Sequence, residues 1–210
     1  RRARAAALME IGLPGSVYVY QGEELGLFEV ANIPWDRLED PTPCNTRRNF
    51  TDKGRDGCRV PLPWNADDCG EPAPWNDNFI AGATFGPVPH ADGSAVADAH
   101  LPQPVWFKDF AADVQIADDD SMLALYRKLL KLRQTVLTAT GDTSAELLDM
   151  GDAVVAYSRP ATKGRRFVSV TNFGAVSVEL PEGGVVIAES GPLTDDGGLP
   201  QDTSVWMLLG

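Results

Sequence analysis

At 210 residues, 43% hydrophobic and 23% charged, the chain can bury one large core or two smaller ones, and its composition excludes a disordered or fibrous protein. A formal net charge of −12 repels phosphate backbones and excludes nucleic acid as an expected partner; the surplus carboxylate reads first as a solubilising surface. No apolar run reaches the roughly 18 residues that span a bilayer, so no membrane partner is expected.

Residues 1–12 read as a helix: alanine is the best helix former, and Leu8, Ile11 and the alanines supply an apolar stripe. Arg1-Arg2-Ala3-Arg4 carries no signal-peptide cleavage pattern. Leu13-Pro14-Gly15 stops the helix. Residues 16–20 then read as a strand buried on both faces, because Val17, Tyr18, Val19 and Tyr20 are β-branched or aromatic without alternation. Helix, turn and strand make half an α/β unit.

Residues 21–113 are rich in Pro, Gly, Asn and Asp, and they read as a long, ordered, functional excursion with short helices. Trp35, Trp64, Trp75 and Trp106 are too many large aromatics for a disordered linker. Trp64, Trp75 and Trp106 suit either sugar platforms or small satellite cores. Cys44, Cys58 and Cys69 fall in this region; Cys58 and Cys69 could bridge a loop, but the default expectation is a reduced, cytoplasmic chain.

Residues 118–134 form the clearest helix. Asp118, Asp119, Asp120 and Ser121 offer capping groups; Met122, Leu125, Leu129 and Leu132 share a stripe; Arg127, Lys128, Lys131 and Arg133 load the C-terminal half, as the helix dipole prefers. Beyond Gly141 the period falls to two. Residues 146–150, 153–159, 166–172, 176–180, 185–189 and 204–209 read as strands of an antiparallel sheet or sandwich, with Trp206 in its core.

Few groups suggest chemistry. Glu23 and Glu24 are adjacent, so on an extended chain they point to opposite faces, whereas a retaining glycosidase pair must face one sugar about 5 Å apart. A structural role fits them better: one carboxylate on loop backbone or an arginine, the other at a rim. Arg55, Asp56 and Arg59 form a sharper cluster. An arginine fork binds a carboxylate or vicinal hydroxyls in a fixed plane, and a loop salt bridge is the alternative. His90 and His100 lack metal-ligand spacing, and Asp67-Asp68 lacks the grammar of a calcium loop. No metal and no cofactor are expected.

Two motifs together carry a resemblance. Leu13-Pro14-Gly15-Ser16-Val17-Tyr18-Val19-Tyr20-Gln21-Gly22-Glu23-Glu24-Leu25-Gly26 is similar to the eighth barrel strand of α-glucosidases and oligo-1,6-glucosidases, members of the α-amylase-type glycoside hydrolases. Arg55-Asp56-Gly57-Cys58-Arg59-Val60-Pro61-Leu62-Pro63-Trp64 resembles their "RDxxRTPMxW" loop, with Val60 for Thr, Leu62 for Met and Pro63 before the Trp as departures. Leu101-Pro102-Gln103-Pro104 and residues 121–133 look like the loop exit and last barrel helix.

The resemblance implies an α/β fold class: the final strand and helix of a (β/α)8 TIM barrel, with a long loop after strand 8, over residues 1–135, followed by an all-β antiparallel sandwich domain over residues 136–210. It implies the C-terminal fragment of a retaining exo-α-glucosidase that hydrolyses terminal α-linked glucose from oligosaccharides. The family's nucleophile, general acid and transition-state-stabilising carboxylates precede its eighth strand, so no catalytic residue is expected here. Arg59 is implied to bind the terminal glucose, with a carboxylate partner upstream of Arg1; Arg55 and Asp56 complete the substrate-binding loop by holding its shape. A non-catalytic remnant or sugar-binding module is the alternative from another class. A trehalose synthase or sucrose isomerase-like transglycosylase is the alternative within the family.

Overall fold

A computed structural model describes residues 1–42, 53–66, 72–80 and 99–210. They separate into two compact units: Arg1–Val19 with Ala124–Gly210, and Tyr20–Leu123.

The first unit opens with helix α1, Arg2–Gly12, which buries Ala5, Ala7, Leu8, Ile11 and Gly12. Leu13 is extended, as a residue before proline prefers, and the chain leaves the helix there. A helix end leaves four carbonyls without intrahelical partners. Here all four are met: Tyr157 Oη donates to Met9 (2.6 Å), the Leu13 amide to Glu10 (3.1 Å), Arg133 to Ile11, and Arg159 Nη1 to Gly12 (2.7 Å). Arg133 also reaches the carbonyls of Leu13 and Gly15. Two guanidinium groups thus face the negative end of the helix dipole.

The elements of the Tyr20–Leu123 unit come next along the chain. Val30, Ile33, Val60, Ala73, Phe79, Ile80, Leu101 and Phe107 build a core of its own. A hairpin of β1, Pro72–Ala73, and β2, Asn76–Ile80, contributes to it, where sequence pattern suggested no strand. The short helix α2, Ala112–Ile116, carries Gln115, whose amide nitrogen donates to the carbonyls of Leu25 (2.7 Å) and Phe110 (3.1 Å). Its oxygen accepts the Leu123 amide at 3.1 Å, so one buried side chain ties three segments.

Helix α3, Met122–Leu132, passes from one unit to the other and ends in a π turn at Arg133–Leu137, from which Arg133 reaches α1. The first unit then closes with one five-stranded antiparallel sheet of β3, Glu146–Leu148; β4, Val154–Pro160; β5, Arg166–Asn172; β6, Gly184–Glu189; and β7, Thr203–Leu209. Their spatial order is β3-β4-β5-β7-β6. The register sets Tyr157 opposite Ser169 and Ser169 opposite Trp206, so these share a face. That face meets α1: Trp206 Nε1 donates to the Leu8 carbonyl at 2.9 Å, and Phe167 stands edge-on to Trp206 with centroids 5.2 Å apart. The opposite face buries Ala156, Val168, Val170, Val205 and Met207 under Leu199.

Three expectations are corrected. The tail is one sheet among the described residues, where a two-sheet sandwich was expected. Residues 176–180 alternate like a strand, but only Val178 bridges, to Leu199. The Asn172 side chain replaces a ladder there. It donates to the carbonyls of Val176 (2.8 Å) and Leu199 (2.9 Å) and accepts the Gly174 amide at 2.8 Å. Residues 16–20 are extended but pair with no strand among the described residues. Tyr18 is 89% exposed. Strand-favouring side chains form a strand only against a neighbour, and among the described residues they have none.

Candidate substrate-binding loop

The residues singled out as Arg55, Asp56 and Arg59 lie on one loop of the Tyr20–Leu123 unit, and a carboxylate that the motif reading missed brings them together. Asp56–Cys58 form a single 3₁₀ turn. Asp56 is buried beneath it and accepts the backbone amides of Glu39 (2.6 Å) and Asp40 (2.8 Å). Asp40 in turn reaches back to the loop. One of its oxygens accepts the Thr42 amide at 2.8 Å in an Asx turn; the other accepts the Arg55 amide at 3.1 Å and Arg59 Nη1 at 3.0 Å.

Two glycines allow this approach. Gly54 has φ +71°, and a Cβ there would lie 2.6 Å from Asp40 Cγ. A Cβ on Gly57 would lie 2.8 Å from Glu29 Cγ and 3.0 Å from the Val30 carbonyl, whose residue donates its amide to Gly57 at 3.0 Å.

The Asp40 side chain is 6% exposed and that of Arg59 is 44% exposed. The amide and hydroxyl of Thr42, then the Arg55 amide, lower the Asp40 pKa from 3.8 to about 2; burial opposes this and the Arg59 charge adds to it. Arg59 spends one nitrogen on Asp40; among the described residues its Nε and Nη2 make no hydrogen bond, so a fork of donors remains toward solvent. Asp40 is a carboxylate partner of Arg59 within the chain that the motif reading did not include. The Arg55 side chain is exposed, and its backbone amide is what the clasp uses.

A cavity of about 190 Å³ adjoins the loop and is lined by residues including Gln21, Glu23, Phe28, Glu29, Cys58 and Leu62. Glu24 accepts the Gly22 amide at 2.9 Å and holds the turn at Glu23–Leu25, while Glu23 faces the cavity. Cys58 carries a free, exposed thiol; Cys44, Cys69, His90 and Asp67-Asp68 lie outside the described residues.

The tryptophans divide. Trp106 packs among Phe28, Phe107 and Phe110 as a satellite core, and Trp75 stacks on Phe79 beneath the Arg37 guanidinium. Trp64 remains 52% exposed. Among the described residues no cluster of side chains could hold a metal ion, and no helix is long and apolar enough to cross a membrane.

The family model for the α-amylase catalytic domain matches residues 1–141. Maltase A1 of Drosophila melanogaster is 30% identical over 169 residues, covering 80% of this chain and 25% of the maltase. A probable α-glucosidase of Rhizobium meliloti is 32% identical over 132 residues, covering 63% of this chain and 19% of the relative. Among solved structures, the α-glucosyl transfer enzyme XgtA superposes with a TM-score of 0.71 at 28% identity, covering all of this chain and 36% of XgtA. The chain thus spans about a quarter or less of the curated relatives it matches here. With the fold, the clasped arginine loop and the model match in agreement, the chain belongs to the α-amylase family of glycoside hydrolases.

Proposed function

We propose that this chain is the C-terminal part of a retaining exo-α-glucosidase that hydrolyses terminal α-linked glucose from oligosaccharides, and that the nucleophile and general acid lie outside it. On this reading residues 1–135 end the barrel, with a long loop after its last strand, and residues 136–210 are the β domain. The packing of α1 on the sheet is then the seam between barrel and tail.

The observation that carries the reading is the half-exposed Arg59 fork on a loop locked by Asp40 and Asp56. A guanidinium fixed at one nitrogen offers its remaining N–H groups to vicinal sugar hydroxyls in a defined plane. Arg55 frames the same opening through its backbone, and Asp56 sets the loop height. Charge-assisted hydrogen bonds contribute about 1.5–3 kcal/mol each. Arg59→Ala in the intact enzyme should therefore lower kcat/KM for a terminal α-glucoside roughly 10- to 150-fold. Unchanged kinetics would remove Arg59 from the sugar site. The isolated 210 residues should show no turnover, and hydrolysis by them would place the catalytic groups inside the chain.

A second reading keeps the site and changes the acceptor. The likeness to an α-glucosyl transfer enzyme favours passing the glucosyl group to a sugar hydroxyl instead of water. Product analysis on maltose and sucrose separates the two: free glucose alone indicates hydrolysis, and new disaccharides or trisaccharides indicate transfer.

A further inference from the structure

We propose that Asp40 is a positioning residue for sugar binding: it fixes the Arg59 guanidinium before substrate arrives, and Asp56 fixes Asp40 in turn. This deepens the assignment of Arg59 and rests on it.

The geometry forms a relay of three side chains. Asp56, buried, holds the backbone of Asp40 through its amide at 2.8 Å. The Asp40 carboxylate divides its work. The oxygen facing Thr42 closes a local turn, and the other is shared by the Arg55 amide and Arg59 Nη1. Asp40 makes the ion pair of Arg59 among the described residues, and its side chain is almost wholly buried. Gly54 lets the loop backbone pass against the carboxylate.

If Asp40 served only to close the loop, its bonds to Thr42 and Arg55 would suffice. The third bond, to Arg59, reaches a side chain that stays half exposed. Solvent at the arginine end screens the pair and limits what it adds to folding. It does settle the rotamer of a long side chain. A free arginine loses its rotamer freedom when it binds, and an arginine already held does not. Holding Arg59 should therefore sharpen binding of the terminal sugar by roughly 5- to 30-fold.

Among the described residues the charged groups around Asp40 are Arg59 and Arg55 on the loop, Asp56 beneath it and Glu39 beside it. Asp40→Asn keeps shape and volume but replaces one acceptor oxygen with an NH2 donor and removes the charge that attracts Arg59.

The test has two readouts. In the intact enzyme, 15N relaxation of Arg59 Nε reports the order of the guanidinium without any substrate. An ordered Nε in the wild type that becomes disordered in Asp40→Asn, with the backbone amide spectrum otherwise retained, is expected. An Nε as mobile as a free side chain in the wild type overturns the proposal with no variant needed. In the intact enzyme, a double-mutant cycle of Asp40→Asn and Arg59→Ala reads kcat/KM. Asp40→Asn should cost roughly 5- to 30-fold alone and nothing further in the Arg59→Ala background. An equal cost in both backgrounds makes Asp40 a loop residue and sinks this proposal while the reading of Arg59 stands. No cost from Arg59→Ala itself sinks that reading, and this proposal with it. Asp40→Glu, which keeps the charge, should recover part of the loss; no recovery, with the fold intact, also counts against positioning.

Discussion

Gly12→Ala should destabilise the sheet unit, against the direction helix propensity gives. In an ordinary helix interior, alanine in place of glycine gains about 0.5–1 kcal/mol. At Gly12 the added Cβ would lie 2.2 Å from Tyr157 Oη, 3.2 Å from Trp206 Nε1 and 3.3 Å from Phe167 Cζ. All three belong to side chains that are fully buried. The Tyr157 hydroxyl must move, and it then leaves the Met9 carbonyl. A buried polar group left unsatisfied costs about 1–3 kcal/mol. Overpacking adds a similar about 1–3 kcal/mol. Set against the propensity gain, the net loss is about 1–5 kcal/mol. For a unit of this size that is roughly 5–25 °C in Tm. Hydrogen exchange at the amides of Val205, Trp206 and Met207 reads it locally, without mixing in the other unit. Tyr157→Phe removes the obstructing oxygen. The cost of Gly12→Ala should therefore shrink sharply in the Tyr157→Phe background. Unchanged or raised stability on Gly12→Ala, or an equal cost in both backgrounds, would refute the packing argument.

Gly54→Ala combines a left-handed backbone with a Cβ against Asp40, and should cost about 1–3 kcal/mol, seen as faster exchange of the Arg55 amide. Arg133→Met removes three carbonyl bonds and one cation from the end of α1; a loss of about 1–3 kcal/mol is expected, and an unchanged melting temperature would show the cap to be idle. Because the folded pKa of Asp40 is depressed, its stabilisation is complete above the unfolded value near 3.8 and is lost as pH falls through about 2. A carboxyl 13C titration of Asp40 should show a midpoint well below 3.8, and an ordinary midpoint would mean the clasp is open in solution.

Periodicity made the sheet and its flanking helices readable. β5 was read with its observed ends, Arg166–Asn172, because β-branched and aromatic residues alternate between clear turns. Helix α1 was equally plain from its alanines. What stayed hidden depends on partners distant in sequence. Residues 16–20 have the composition of a buried strand, and composition does not reveal whether a neighbour is present. Asn172 gave no sign that its amide would stand in for a strand ladder. In the site, the arginine-aspartate motif was legible as a motif. Asp40 was not, although Asp40-Pro41 followed by Thr42 is a turn signal, because its partners Arg55 and Arg59 lie across an intervening loop. Gly12 looked like a helix terminus, and the tyrosine that forbids a side chain there lies in β4.

The bond from Trp206 to the Leu8 carbonyl joins residues 198 positions apart. It gives the chain an order of events. Helix α1 can form as soon as it leaves the ribosome, but its seat does not exist until β7 has been made. At about 5–20 residues per second, that wait lasts roughly 10–40 s. During it the stripe of Ala5, Leu8 and Ile11 has no sheet to cover it. A closure between such distant positions is also slow in itself. Helix α1 is therefore seated only once the sheet is complete, and until then its apolar stripe is open to aggregation and to chaperone capture.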